Sequence, residues 1–234
     1  MYYAGIMTGN SLDAVDVVIT DFHNNQMSDI CGYSQPIPDT IGHGFRKLKE
    51  KLKHNGGNIQ QIYDDNPAEF LKLHNAYIKI VADTVNQTVI KAGITPQDIS
   101  LIGFHGQTCA HFPPSIAKTD AHTLQIGSGQ MLADLTQIKV AYDFRSDDLI
   151  NGGEAAPLAP IHNLHIANDL KAKGIFPVVF CNGGNTGNMA VISSDETGKE
   201  KVFGWDTGPF NHFIDYLTRS EKNEPCDYDG KYGR

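Results

Sequence analysis

Positive charge is scarce in this 234-residue chain: 19 lysines and arginines against 27 aspartates and glutamates leave a formal net charge of −8. Without a basic surplus the electrostatic footprint of a nucleic-acid partner is missing, and a small polar ligand is the better expectation. Long apolar runs are missing as well. No stretch of about 18 apolar residues offers a membrane span, and no charged-then-apolar leader with a cleavage site marks secretion, so a cytoplasmic location is the default expectation. Cysteine is sparse. Cys31, Cys109, Cys181 and Cys226 are widely separated, form no Cys-x-x-Cys pair, and read as reduced, mostly structural thiols. Histidine is more frequent, but His105, His111 and His122 have no acidic or cysteine partner at a familiar zinc spacing, and His162 and His165 share only a three-residue step. The metal ligands, if any, stay unassigned.

What the chain does have is a glycine-and-hydroxyl turn near its start, Gly5-Ile6-Met7-Thr8-Gly9-Asn10-Ser11-Leu12-Asp13-Ala14. Tyr2 to Met7 before it is strand-like, and in Ala14 to Thr20 after it Val15, Val17 and Ile19 alternate with other residues, so the unit reads as a hairpin. Glycines at 5 and 9 offer positive φ and close backbone approach, while Thr8, Ser11 and the turn amides offer donors to an anion. Nothing basic lies in the turn, so a phosphate there needs a metal ion or a distant cation. An ordinary structural turn is the competing reading. A second unit of the same kind follows far along the chain: Pro177 to Phe180 as a strand, Asn182-Gly183-Gly184-Asn185-Thr186-Gly187 as a turn, and Asn188 to Ile192 as a strand. Two such hairpins are what an actin-like kinase architecture uses, each of two related domains presenting one to the phosphates of a nucleotide.

The remaining pattern is α/β. Asn66, Pro67 and Glu69 cap a long helix that Gly93 stops, with Phe70, Leu73, Tyr77, Ile80, Val81, Val85 and Val89 as its apolar stripe. An earlier helix is expected over 40–53. Ser100 to Phe104 reads as a strand entering His105-Gly106-Gln107-Thr108, then an extended polar loop held by Pro113 and Pro114. Thr123 to Gly127 is a strand, 130–136 a helix, and Lys139 to Tyr142 a strand. Asp143-Phe144-Arg145-Ser146-Asp147-Asp148 lies at that strand's end, where open α/β sheets place ligand groups; a solvated ion-pair cluster is the alternative. A helix follows over 157–170, and the domain boundary is expected near residue 145, giving domains 1–145 and 146–234. Asp206, in Trp205-Asp206-Thr207-Gly208-Pro209-Phe210-Asn211, is read where a strand gives way to a helix, so that helix amides orient its carboxylate either as a general base or as a cap.

In this order the segments around Gly9 to Asp13, His105 to Thr108, Thr123 to Gly127, Asp143 to Arg145, Ala156-Pro157-Leu158-Ala159-Pro160, Asn182 to Gly184 and Asp206 to Pro209 resemble the anhydro-N-acetylmuramic acid kinase family. The resemblance implies an actin-like sugar-kinase fold of two related domains around a cleft. It also implies a reaction in which water opens a 1,6-anhydro ring while the γ-phosphoryl of ATP passes to the freed O6, in cell-wall recycling. ATP and Mg2+ are the implied cofactors and an amino sugar the implied substrate, with no nucleic-acid or membrane partner. On the same ground Asp206 is the implied base. Gly9, Asn10, Ser11 and Asp13, with Asn182, Gly183 and Gly184, correspond to the nucleotide-phosphate region, and His105, Gln107, Thr108, Asp143 and Arg145 line the sugar side.

Several positions depart from the family pattern. Asn10 and Ala14 replace a threonine and a glycine, Phe210 stands where glycine is usual, and Arg145-Ser146-Asp147-Asp148 replaces a run of arginines. Family chains run on well past 234 residues, so the second domain is expected to be incomplete, with exposed apolar faces and self-association, a homodimer being the simplest form. A catalytically impaired sugar- or partner-binding relative, or a kinase for a different sugar, are the alternative expectations.

Overall fold

The computed structural model describes residues 1–23, 26–117, 120–184 and 186–233. It divides into two compact units, Met1–Ala155 and Ala156–Arg234. The break follows Ala155 rather than residue 145, because residue 145 lies inside a helix, Phe144–Ile150, that packs within the first unit.

The first unit opens with three antiparallel strands, β1 (Tyr2–Thr8), β2 (Ala14–His23) and β3 (Gln26–Pro36), followed by helices α1 (Asp39–His54), α2 (Ile59–Asp65) and α3 (Pro67–Ala92). Next come β4 (Ile99–Phe104), β5 (Gln107–Phe112), the short α4 (Pro114–Ala117), β6 (His122–Ile126), α5 (Gly129–Thr136), β7 (Val140–Tyr142) and α6 (Phe144–Ile150). The main sheet has the order β3-β2-β1-β4-β7, with β4 parallel to β1 and β7 parallel to β4. This mixed order is an antiparallel meander continued by two parallel strands. It brings the carboxyl ends of β1, β4 and β7 side by side, and each of those ends leads into one of the motifs singled out above.

Burial follows the expected periodicities. Val15, Val17 and Ile19 of β2 are buried while their neighbours Asp16 and Val18 are exposed, as strand alternation requires. Tyr77, Val81, Val85 and Val89 of α3 are buried in the same core, each about one helical turn from the next. The ends of α3 are set by chemistry in the sequence: Asn66 accepts from the backbone N–H of Glu69 at 3.1 Å, Pro67 occupies the first turn, and Gly93 caps the other end at φ 69°. One expectation fails here. Gln107–Phe112 is a strand paired with β6, not an extended loop, and Pro113-Pro114 leads into α4, since a proline at the start of a helix loses no hydrogen bond. Arg145 lies on α6, which follows the end of β7 as expected of a strand-end segment.

The second unit contains α7 (Ala159–Ala172), β8 (Val178–Gly183), β9 (Thr186–Ser194), β10 (Glu200–Pro209) and α8 (Asn211–Lys222). Its antiparallel sheet has the order β10-β9-β8. Ala167, Ala190 and Ile192 are buried, whereas Phe203, Trp205, Phe213 and Leu217 stay exposed. Among the described residues no helix is long and apolar enough to cross a membrane.

Candidate functional site

In the first unit the site grows from the end of β1. Thr8, the last residue of the strand, is buried, and its Oγ1 lies 2.9 Å from the hydroxyl of Tyr77 and 3.4 Å from the carbonyl of Gly106, to which it donates. Tyr77 is fully buried against Phe45, and burial pushes its hydroxyl well above the usual phenol range. One hydroxyl pair thus pins β1, α3 and the His105-Gly106 segment together just before the turn.

The turn itself is closed by a hydrogen bond from Leu12 N–H to the Gly9 carbonyl at 3.2 Å. Positive φ falls on Leu12 (φ 59°), not on Gly5 or Gly9. The use of Gly9 is space, because a Cβ there would sit 3.1 Å from Ser11 Oγ. Asn10, Ser11 and Asp13 are exposed, and Ser11 donates to Asp13 Oδ1 at 2.5 Å, which leaves Oδ2 open. A carboxylate held this way suits Mg2+, which keeps several waters and needs only one or two carboxylates beside phosphate oxygens. No group of three acidic, histidine or cysteine side chains arranged for a metal exists among the described residues. The distant cation missing from the sequence reading is Lys49 on α1, which donates to Asn10 Oδ1 at 3.0 Å.

Beside the ends of β4 and β7 lies a cavity of about 260 Å3 whose wall includes His105, Thr123, Gln125, Tyr142, Asp143 and Ser146. Arg145 Nε donates to His105 Nε2 at 2.8 Å, and His105 Nδ1 faces the Gly106 carbonyl at 3.0 Å. Since an arginine can only donate, Nε2 is the acceptor and the ring hydrogen is on Nδ1: the imidazole is neutral. Burial, opposed by the Gly106 carbonyl and aided by the Arg145 charge, holds its pKa below the usual histidine value. Burial also lowers the pKa of Arg145. The expected alternative of a solvated ion-pair cluster is not what forms, for no carboxylate pairs with Arg145 among the described residues. Asp143 itself takes the left-handed backbone (φ 63°) at the mouth of α6, exposed and on the cavity wall.

Gln107 is fully buried on β5; its Nε2 reaches the Gly9 carbonyl at 3.5 Å and its own neighbour's carbonyl at 3.4 Å, while Oε1 has no partner. Gln125 repeats the pattern: Nε2 donates to Thr123 at 2.8 Å and to Thr108 at 3.5 Å, and Oε1 is unpartnered. Buried carbonyl oxygens without donors are costly unless a ligand supplies one. The sequence reading passed over Lys49, took Tyr77 only as part of the apolar stripe of α3 and Gln125 only as part of a strand, and gave Thr8 as an anion donor, whereas its buried hydroxyl is engaged by Tyr77 and Gly106.

In the second unit the hairpin is tighter than the sequence implied. Asn182 and Gly183 are on β8, Thr186 and Gly187 on β9, pairing as Asn182↔Asn188 and Gly183↔Gly187, so only 184 and 185 remain between the strands, and Asn185 lies outside the described residues. Asn211 fixes this hairpin to the start of α8, its N–H donating to the Gly184 carbonyl at 3.0 Å and its Nδ2 to the Gly183 carbonyl at 2.7 Å. Asp206 is neither a cap nor at a helix start. It is exposed within β10, paired with Asn188 just before an irregularity at Asp206/Gly208, and the residue capping α8 is Phe210. The Phe210 ring lies over the glycines, so closely that a Cβ on Gly183 would stand 2.7 Å from it.

Comparison with known proteins bears on this arrangement. The family model "Anhydro-N-acetylmuramic acid kinase" matches residues 1–234. Proteins of that name from Shewanella sp. (strain ANA-3) and Cupriavidus pinatubonensis are 36% identical over 232 residues and 32% identical over 231. The matches take in 99% and 98% of this chain but 57% and 56% of those proteins, so the chain spans little more than half the length of these relatives. Among solved structures, YeaZ from Pseudomonas aeruginosa (13% identity, TM-score 0.33, 90% of this chain and 68% of that one) and an Aquifex aeolicus Ppx/GppA family member (12%, 0.39, 99% and 58%) are similar. The match to the family model from end to end, together with a third of all residues shared with its named members, makes this chain a member of the anhydro-N-acetylmuramic acid kinase family.

Proposed function

We propose that the protein of which these two units form the matched part opens 1,6-anhydro-N-acetylmuramic acid with water and phosphorylates the freed O6 at the expense of ATP. The observation that carries this reading is Arg145, a half-buried cation held by a neutral histidine instead of a carboxylate, next to a cavity of about 260 Å3. A guanidinium left without an anion is suited to a ligand that brings one, and a muramic acid has a carboxylate for its free N–H groups. The unpartnered Gln107 and Gln125 carbonyl oxygens would accept from sugar hydroxyl or amide groups. Asn10, Ser11 and Asp13, with Asn182, Gly183 and Gly184, are assigned to the phosphates and Mg2+, which when bound would neutralise charge on the transferred group.

Asp206 is assigned as the base. It would take a proton from water as that water bonds to the anomeric carbon; the bond from that carbon to O6 breaks, O6 bonds to the γ-phosphorus, and ADP leaves. Exposure within a strand lets its carboxylate meet water without first breaking a protein hydrogen bond. The site is assayed by coupled ATP turnover with mass detection of the 6-phosphate. Asp206→Asn is expected to abolish turnover by at least about 100-fold, the usual scale for general-base removal, with sugar affinity kept. Equal loss of turnover and of sugar binding would refute the assignment.

One observation favours a second reading, in which the chain binds sugar without phosphoryl transfer: Phe210 occupies the surface of the Gly183 and Gly187 hairpin. Sugar binding by calorimetry with no product in the turnover assay would select it. A panel of other amino sugars addresses the shortened arginine run at 145–148.

A further inference from the structure

A polyphosphate seated on the 9–13 turn carries more negative charge than amides and hydroxyls can balance, and the turn itself has no basic residue. Helix α1 bears lysines at 47, 49, 51 and 53. Three of them are engaged with carboxylates: Lys47 and Lys51 with Glu69 at 2.7 and 3.8 Å, and Lys53 with Glu50 at 2.7 Å. Lys49 is two residues from both 47 and 51, which turns it about 200° round the helix. It therefore faces β5 and the turn, where its Nζ reaches Asn10 Oδ1 at 3.0 Å across 39 residues of sequence. No carboxylate pairs with it among the described residues, and one of its three N–H donors is used.

The neighbouring Cys109 offers no counter-charge, because burial pushes its thiol up to about 12. Burial also holds Lys49 below the ordinary lysine range, as befits an ammonium stripped of part of its water. Asn10 makes the reach geometrically easy. Its amide oxygen is one bond farther from the backbone than the hydroxyl of the threonine usual in the family.

We propose that Lys49 is the anion-binding cation of this turn, tethered by Asn10 and directed at the terminal phosphates of a nucleoside triphosphate. This rests on reading the chain as part of a nucleotide-dependent kinase. Asn10 and Lys49 are then a pair: one replaces the threonine, and the other brings the charge.

The test is calorimetric titration of the 234-residue chain with inorganic tripolyphosphate. Lys49→Gln is expected to weaken binding about 10- to 100-fold, the scale of one charge-assisted hydrogen bond. Lys49→Arg should retain most of the affinity, and Lys47→Gln, at the Glu69 pair, should leave it unchanged. Melting temperatures of all three variants identify any loss that comes from misfolding, and Asn10→Ala, which removes the tether and leaves the cation, should give an intermediate loss. Equal affinity of Lys49→Gln and the parent chain, or no tripolyphosphate binding by the parent, overturns the proposal. Lys49-dependent binding without any sugar phosphate in the turnover assay would instead sink the kinase reading and leave the anion site standing.

Discussion

The hydroxyl pair of Thr8 and Tyr77 provides a sharp test of how the first unit holds its site. Gly106 accepts from Thr8 Oγ1 at 3.4 Å, so the Tyr77 hydroxyl is the donor in the 2.9 Å contact with Thr8, and Tyr77 is fully buried. Tyr77→Phe removes the donor but leaves Thr8 its carbonyl partner, a loss of about 1 kcal/mol. Thr8→Val has nearly the same shape as threonine but strands the Tyr77 hydroxyl in the core, which adds its desolvation cost for a total of about 1–3 kcal/mol. The double variant removes both groups and should be more stable than Thr8→Val alone, a coupling of about 1 kcal/mol or more. Urea unfolding followed by far-ultraviolet circular dichroism measures all three. The single tryptophan, Trp205, lies in the second unit and does not serve for this transition. Thr8→Val no more harmful than Tyr77→Phe, or strictly additive losses, would refute the reasoning that this pair is isolated from water and mutually dependent.

Two further outcomes follow from other contacts. Because the pKa of His105 is lowered by burial first, in the window between its native midpoint and about 6.5 the unfolded chain binds a proton that the native chain does not, so stability rises with pH there. A histidine ring NMR titration should place its midpoint below 6.5, and Arg145→Met should move that midpoint upward; no movement would mean that the 2.8 Å bond is absent in solution. In the second unit Gly183→Ala should cost about 1 kcal/mol, since the half-exposed Phe210 ring must shift by a fraction of an ångström. Phe210→Ala should relieve that cost, as followed by Trp205 emission, and additive effects would show that the ring does not rest on the hairpin.

Local chemistry was legible wherever one segment decides its own conformation. The alternation of Val15, Val17 and Ile19 and the caps Asn66 and Gly93 are written in adjacent residues, and they set β2 and the ends of α3 without any tertiary contact. The collinear motifs likewise carried the family, because Gly9 to Asp13, His105 to Thr108 and Asp143 to Arg145 keep their identities whatever surrounds them. The α/β class also follows from the sequence pattern.

Partnership across the chain was not legible. Gln107 belongs to a strand because β6 supplies the pairing, and no residue near it announces that. Asp206 falls within β10 and away from a helix start because β9 extends the sheet beside it. His105 is neutral because an arginine 40 residues later can only donate to it, and the turn at 9–13 meets a cation only because α1 folds back over β5. Sequence determines which groups are available and the local geometry of each segment. Which of them meet, and hence their charge, hydration and spare hydrogen-bonding capacity, is decided by contacts between residues 18 to 98 positions apart, from Asp206↔Asn188 to Gln107 and Gly9, and only the tertiary structure contains those.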